Sequence, residues 1–172
     1  ALHLLDEALG EDRYLDYICT YLDTHIHKGY RVDQSDTMAP GLAAFAAYKR
    51  TGEPRYRAVV DRVVDYLLNS KRVLDYMPNH LGSSPEGRLY PKSVWVDSVM
   101  MYGVFSGWYG RSEGNDAIYD FARRQPALFA EYLQDPEDKL FYHCYWTRRR
   151  HTYPKSKVYW GRGNGWVIAG LP

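Results

Sequence analysis

The chain has 172 residues, with Lys+Arg 22 against Asp+Glu 21 and a formal net charge of +1. No bulk field therefore favours nucleic acid or an anionic membrane, and any recognition of an anion must be local. The length suffices for one domain over residues 1–172 with a substantial core, and no stretch approaches the roughly 20 apolar residues of a membrane-spanning helix.

The periodicity is helical nearly throughout. Ala1-Leu2-His3-Leu4-Leu5 reads as the interior of a helix. Tyr14, Tyr17, Ile18, Tyr21 and Leu22 recur at the spacing of one buried helix face. His25-Ile26-His27 offers two imidazoles without a third ligand, so no metal is expected. Ser35 or Asp36 is placed to cap a helix through Leu42, Phe45, Ala46 and Tyr48, with Pro40 in its first turns. Thr51-Gly52-Glu53-Pro54 ends that helix and starts the next, whose face is Tyr56, Val59, Val60, Val63, Val64, Leu67 and Leu68. Further helices are predicted over residues 93–109, over 115–133 with a kink or break at Pro126, and from near Asn164 onward. Two long connections, residues 70–92 and 134–163, separate these helices, and loops of that length are usually functional or mobile. Within the second, Leu140-Phe141-Tyr142-His143 has the composition of a short strand.

Aromatics form 16% of the chain and 17 of them are Tyr; such flat rings with polar tips favour a lined cleft. Cys19 and Cys144 are too few for a disulfide framework and have no metal spacing, which predicts free thiols in a reducing, cytoplasmic setting.

Loop-to-helix junctions fall near Asp36, Asp97 and Asn164, 61 and 67 residues apart. Each interval holds a helix, a short turn, a returning helix and a connection. A toroid of helical hairpins has that period, and a helical solenoid shares it without closing. If the inner helices run in one direction, the three junctions meet at one rim.

The side chains at those junctions carry chemistry. Asp97, in Trp95-Val96-Asp97-Ser98, either caps a helix or acts as a general acid whose proton is held by nearby Trp95, Tyr102 or Trp108. Asp33 and Asp36 offer a second carboxylate, or a capping cluster. His143 is either packed among aromatics or set to hold a substrate carboxylate or hydroxyl. The run Trp160-Gly161-Arg162-Gly163-Asn164-Gly165-Trp166 combines glycines that let backbone approach a ligand, the Arg162 fork for a carboxylate, and indoles for stacking. It lacks the spacing and βαβ context of a nucleotide loop. Arg148-Arg149-Arg150 reads as a solvated loop or an electrostatic lid.

Four stretches occur in the order found in one enzyme family: Met38-Ala39-Pro40-Gly41 leading into Tyr48 to Tyr56, then Val94 to Asp97, then Asp135-Pro136 to His143, then Trp160 to Trp166. On them the chain resembles glycoside hydrolase family 105, the unsaturated rhamnogalacturonyl hydrolases, and more distantly family 88. The resemblance implies an all-α (α/α)6 barrel, of which about half is present here. It also implies a small unsaturated oligosaccharide as substrate, no cofactor, and self-association through apolar surface that the other half of a ring covers. Asp97 becomes the acid/base that protonates C4 of a 4,5-unsaturated uronic acid. Asp36, Trp95, His143, Arg162, Asn164 and Trp166 become substrate-binding residues. Unsaturated glucuronyl hydrolysis of glycosaminoglycan fragments and non-catalytic sugar binding are the alternatives.

Overall fold

The computed structural model describes residues 2–170; Ala1, Leu171 and Pro172, which belong to the expected domain, lie outside the described residues. Helices dominate. In chain order they are α1 (Leu2–Leu9), α2 (Leu15–His27), α3 (Ser35–Met38), α4 (Pro40–Thr51), α5 (Pro54–Asn69), α6 (Pro85–Leu89), α7 (Val104–Glu113), α8 (Asp116–Leu133) and α9 (Gly161–Gly170). No helix among the described residues is long and apolar enough to cross a membrane.

The hairpin α4/α5 follows the turn chemistry of its sequence. Gly52 takes a left-handed conformation (φ 70°) and its N–H caps the helix on the Tyr48 carbonyl, 2.8 Å away. Pro54 then opens α5, where its missing N–H costs nothing. The predicted α5 face is buried at Tyr56, Val59, Val60, Val63 and Leu67, while Leu68 is exposed. The second hairpin, α7/α8, repeats the arrangement. Asn115 Oδ1 accepts the Ile118 N–H at 3.1 Å and caps α8. Phe45 of α4 sits edge-on to Phe105, Trp108 and Tyr109 of α7, which joins the two hairpins through one aromatic core.

Several expectations are corrected. On α2 only Ile18 and Leu22 are buried; Tyr17 and Tyr21 are exposed, so the buried stripe is narrower than the tyrosine spacing suggested. α8 runs unbroken through Pro126, held by buried Phe121, Phe129 and Leu133 on either side of it. The Gln125 side chain donates to the Phe121 carbonyl at 3.1 Å within that same turn. The strand expected at 140–143 lies one step later, and Phe141 makes only an isolated bridge to Gln134. α9 begins at Gly161, three residues ahead of Asn164.

Two small sheets occupy the long connections. β1 (Arg72–Leu74) pairs with β2 (Met77–Pro78). A three-stranded antiparallel sheet has the order β3 (Ser93–Trp95), β4 (Cys144–Trp146), β5 (His151–Tyr153). Residues 93–95, expected as helix, are therefore a strand. The helix follows only after a π-helical turn over Val99–Gly103, a local widening that often accompanies functional sites. Cys19 and Cys144 are both free thiols, and burial pushes the Cys144 thiol up to about 11.

Candidate active site

The β3–β4 pairing brings the Asp97 junction against His143 of the second long connection. Trp95 lies opposite Cys144, and the Val96 N–H donates to the His143 carbonyl at 2.9 Å. One step beyond this register, His143 Nε2 stands 3.6 Å from Asp97 Oδ2. The Asp97 side chain is 14% exposed, and its Oδ2 is buried with no hydrogen-bond partner. Buried polar atoms are nearly always paired, so an unpaired carboxylate oxygen is a feature that needs a purpose. The capping alternative finds no support. The Met100 and Met101 N–H groups donate to the Asp97 backbone carbonyl, and its carboxylate makes no cap bond.

The second carboxylate is Asp36. At α3 the Thr37 hydroxyl serves the helix start, accepting the N–H groups of Asp33 and Gln34 at 3.0 and 3.1 Å. Neither Ser35 nor Asp36 is the cap. The Asp33 carboxylate stays within its own loop, with Oδ1 3.4 Å from the Thr37 hydroxyl, and its backbone carbonyl is taken by the Ser83 N–H and the Tyr66 hydroxyl. Asp36 faces the site with its side chain 58% exposed. Partial burial raises its carboxyl above the ordinary value, and the neighbouring charge of Asp97 raises it further.

Between the two acids lies a residue that the sequence reading missed, His80. Its ring is 1% exposed and stacks face to face on Trp95, centroids 4.3 Å apart and planes 7° apart. Nε2 lies 3.6 Å from Asp36 Oδ1. Nδ1 is 3.0 Å from the Ser98 hydroxyl, which is in turn 3.1 Å from that of Ser35. Backbone bonds fix the same point, with Ser35 N–H to the His80 carbonyl and His80 N–H to the Ser93 carbonyl. Burial lowers the imidazole to about 4, against the opposing pull of Asp97, so it is neutral near pH 7. A lone histidine in a long loop carries no periodic signal. Only the return of that loop against β3 makes it part of the site.

The rest of the wall follows from β3 and α9. The Trp95 indole N–H donates to Ser93 Oγ at 2.8 Å, and its ring meets that of His143 nearly edge-on at 4.8 Å. His143 also touches Trp160, centroids 4.8 Å apart, and the Arg162 guanidinium lies over Trp160 at 4.1 Å. Arg162 is exposed, and Trp166, one turn along the same helix face, is half-buried. Gly163 is the close-approach glycine, since a Cβ there meets Val96 Cγ1 at 2.7 Å and Trp160 Cε3 at 2.8 Å. Gly161 and Gly165 face open space.

Asn164 differs from its expected role. Its Oδ1 accepts the Phe141 N–H at 2.8 Å, and its Nδ2 donates to the carbonyls of Phe141 and Trp160 at 3.0 and 3.2 Å. It is a clamp between α9 and the segment carrying His143, with its amide already committed. Two of the aromatics expected around Asp97 are engaged elsewhere: Trp108 packs on His3 and Phe45, and Tyr102 on Phe121. Among the described residues no cluster of three or more His, Cys, Asp or Glu is arranged to hold a metal.

The site is thus a continuous arc, Asp36–His80–Trp95–His143–Trp160–Arg162, with Asp97 against its centre. It combines a buried carboxylate, a second carboxylate, a guanidinium fork and indole walls, equipment suited to an acidic sugar.

Known proteins share this arrangement of elements. Over 162 residues the chain is 27% identical to the unsaturated rhamnogalacturonyl hydrolase YesR of Bacillus subtilis (strain 168), covering 94% of this chain and 46% of that protein. It superposes on a possible member of the GH105 family from Salmonella enterica subsp. enterica serovar Paratyphi A str. ATCC 9150 with a TM-score of 0.85 at 21% identity, covering 98% of this chain and 43% of the other. For a family 105 glycoside hydrolase of C. acetobutylicum ATCC 824 the TM-score is 0.79 at 23% identity, covering 97% and 48%. The chain therefore spans about half the length of the relatives it matches, and its fold is part of their (α/α)6 barrel. The model of Glycosyl Hydrolase Family 88 matches residues 2–172, and the chain belongs to that family.

Proposed function

We propose that this chain carries the catalytic face of a hydrolase that releases a 4,5-unsaturated uronic acid from the non-reducing end of rhamnogalacturonan-derived disaccharides. The observation that carries this reading is the Asp97 carboxylate, its Oδ2 buried, without a hydrogen bond, and 3.6 Å from His143 Nε2. The likeness to YesR supplies the substrate class.

In this reading Arg162 forks onto the uronate carboxylate, while Trp166 and Trp95 bracket the ring. The Asp97 carboxyl donates its proton to C4 of the enol ether, and charge develops on C5 and the ring oxygen. Water adds its hydroxyl at C5 and returns a proton to Asp97, so the acid is regenerated. The hemiketal formed at C5 opens the ring, and the aglycone leaves C1 as a free alcohol. His143 holds the Asp97 carboxylate in line, and Asp36, oriented by neutral His80, accepts a hydrogen bond from a sugar hydroxyl or the water.

The double bond conjugated to the uronate carboxyl absorbs in the ultraviolet, and hydration removes that absorbance. The protein should bleach the unsaturated galacturonyl–rhamnose disaccharide. Asp97→Asn should slow bleaching by about 10²–10⁴-fold while still binding the sugar. Binding without bleaching by the unaltered protein, or full activity in Asp97→Asn, overturns the assignment.

A further inference from the structure

A second cavity, of about 460 Å³, lies on the other side of the loop that presents His80, and Lys71, Arg88 and Lys92 line it. No carboxylate shares that lining. Elsewhere on the surface, Arg55, Arg57, Arg124 and Lys157 stand within ion-pair distance of acids, but among the described residues these three cations form no ion pair. Lys92 only donates to the Gly87 carbonyl, at 3.2 Å. In a chain of net charge +1, three unneutralised cations around one concavity are a local feature that the composition does not dictate. Tyr66, Val73 and Ser83 add a ring, an apolar patch and a hydroxyl to the same walls.

The cavity is built onto the catalytic framework. A Cβ on Gly82 would lie 1.9 Å from the Asp33 carbonyl, so the loop is pressed against the segment leading to Asp36. The Ser83 N–H holds the same carbonyl at 2.8 Å, and two residues after Asp33 the Ser35 N–H holds the His80 carbonyl, also at 2.8 Å. The short segment 79–83 therefore presents one residue to the acids and others to the cationic cavity.

We propose that this cavity is an accessory subsite for a saturated uronic acid residue of an oligosaccharide, with Lys71, Arg88 and Lys92 holding its carboxylate and Tyr66 and Val73 meeting its ring. The choice of a uronate rests on the substrate class proposed above. The volume lies within the range of ligand pockets and accommodates a sugar ring, and three donors without an opposing acid select an anionic sugar over a neutral one.

The test is calorimetric titration with saturated trigalacturonate, which has no double bond to hydrate. The unaltered protein and Asp97→Asn should bind it equally, with affinity falling as salt rises. Arg162→Ala, which removes the fork at the catalytic end, should keep this binding. Combined Lys71→Ala, Arg88→Ala and Lys92→Ala should weaken it about tenfold, since each exposed contact is worth little alone. Unchanged thermal unfolding of the triple variant shows that it folds, and Arg88→Lys should restore less than Arg88 itself. Equal binding by the triple variant, equal binding of neutral maltotriose, or inorganic phosphate binding as tightly as the sugar overturns the subsite. If trigalacturonate binds here but the unsaturated disaccharide is never bleached, the catalytic reading fails and the subsite stands. If bleaching is intact and the triple variant binds normally, the subsite alone falls.

Discussion

Asn164→Ala offers a sharp test of how α9 is held. The Asn164 amide is the bonding partner of both the N–H and the carbonyl of Phe141, at 2.8 and 3.0 Å, and Phe141 is buried. Truncation leaves both backbone groups unpaired. A buried group left without its partner costs about 1–3 kcal/mol, and some water reaches the gap because Asn164 itself is only half-buried. We therefore expect a loss of about 3 kcal/mol. In a domain of this size that lowers the melting temperature by roughly 6–12 °C, measured by circular dichroism. Asn164→Asp keeps the acceptor for the Phe141 N–H but turns the donor end into an anion facing two carbonyls, so it should be no better than Ala. If Asn164 touched substrate instead, Asn164→Ala would melt normally and lose only sugar affinity. A melting temperature unchanged within about 1 °C, with KM raised, would refute the clamp.

Other expectations concern the arc itself. For His80 the folded-state value, about 4, lies below the ordinary 6.5. Its contribution to stability is thus present above about pH 6.5 and lost as pH falls toward 4, on the order of 3 kcal/mol across that window. His80→Gln should flatten that part of a stability–pH profile, and an unchanged slope would contradict the buried neutral imidazole. Asp36 is the opposite case, with its carboxyl raised by burial and by Asp97. The stability it lends at acid pH is lost on ionisation, so Asp36→Asn should melt higher than the parent at neutral pH and equally at about pH 3. Gly163→Ala drives a methyl into Val96 and Trp160. It should destabilise by about 1–3 kcal/mol and shift the fluorescence of Trp160, and an unperturbed emission spectrum would count against the close contact.

The helical part of the fold was legible because it is written in periods. Tyr56 to Leu67 repeats a 3.6-residue face, and Thr51 to Pro54 contains a left-handed glycine followed by an N-terminal proline. The sheet was not legible, because β3, β4 and β5 are three residues each, too short for a period to show, and β3 finds its partner β4 only beyond α7 and α8. The helix expected over residues 93–109 was therefore started too early, since residues 93–95 are strand and the helical turns begin at Val99. Asp36, Asp97 and Arg162 could be nominated from their positions at loop-to-helix junctions, and His143 from its aromatic neighbours beside a predicted anion site. His80 could not, since its role depends on a loop folding back under Trp95. Asn164 drew attention through its company of glycines, but its amide is directed at the chain, a fact of geometry that composition cannot hold.

Asp97 and His143 are 46 positions apart in the sequence, yet they meet one step beyond the end of an antiparallel ladder. Their spacing is therefore governed by strand register and not by the length of what lies between. The outer turn at Thr147–Arg150 joins β4 to β5 at the end of β4 away from His143. Insertion between Arg148 and Arg149, beyond the bond from the Thr147 N–H to the Lys92 carbonyl, should leave the acid beside its histidine. A one-residue slip between β3 and β4, by contrast, would turn every side chain of the shifted strand to the opposite face and dismantle the pair at once.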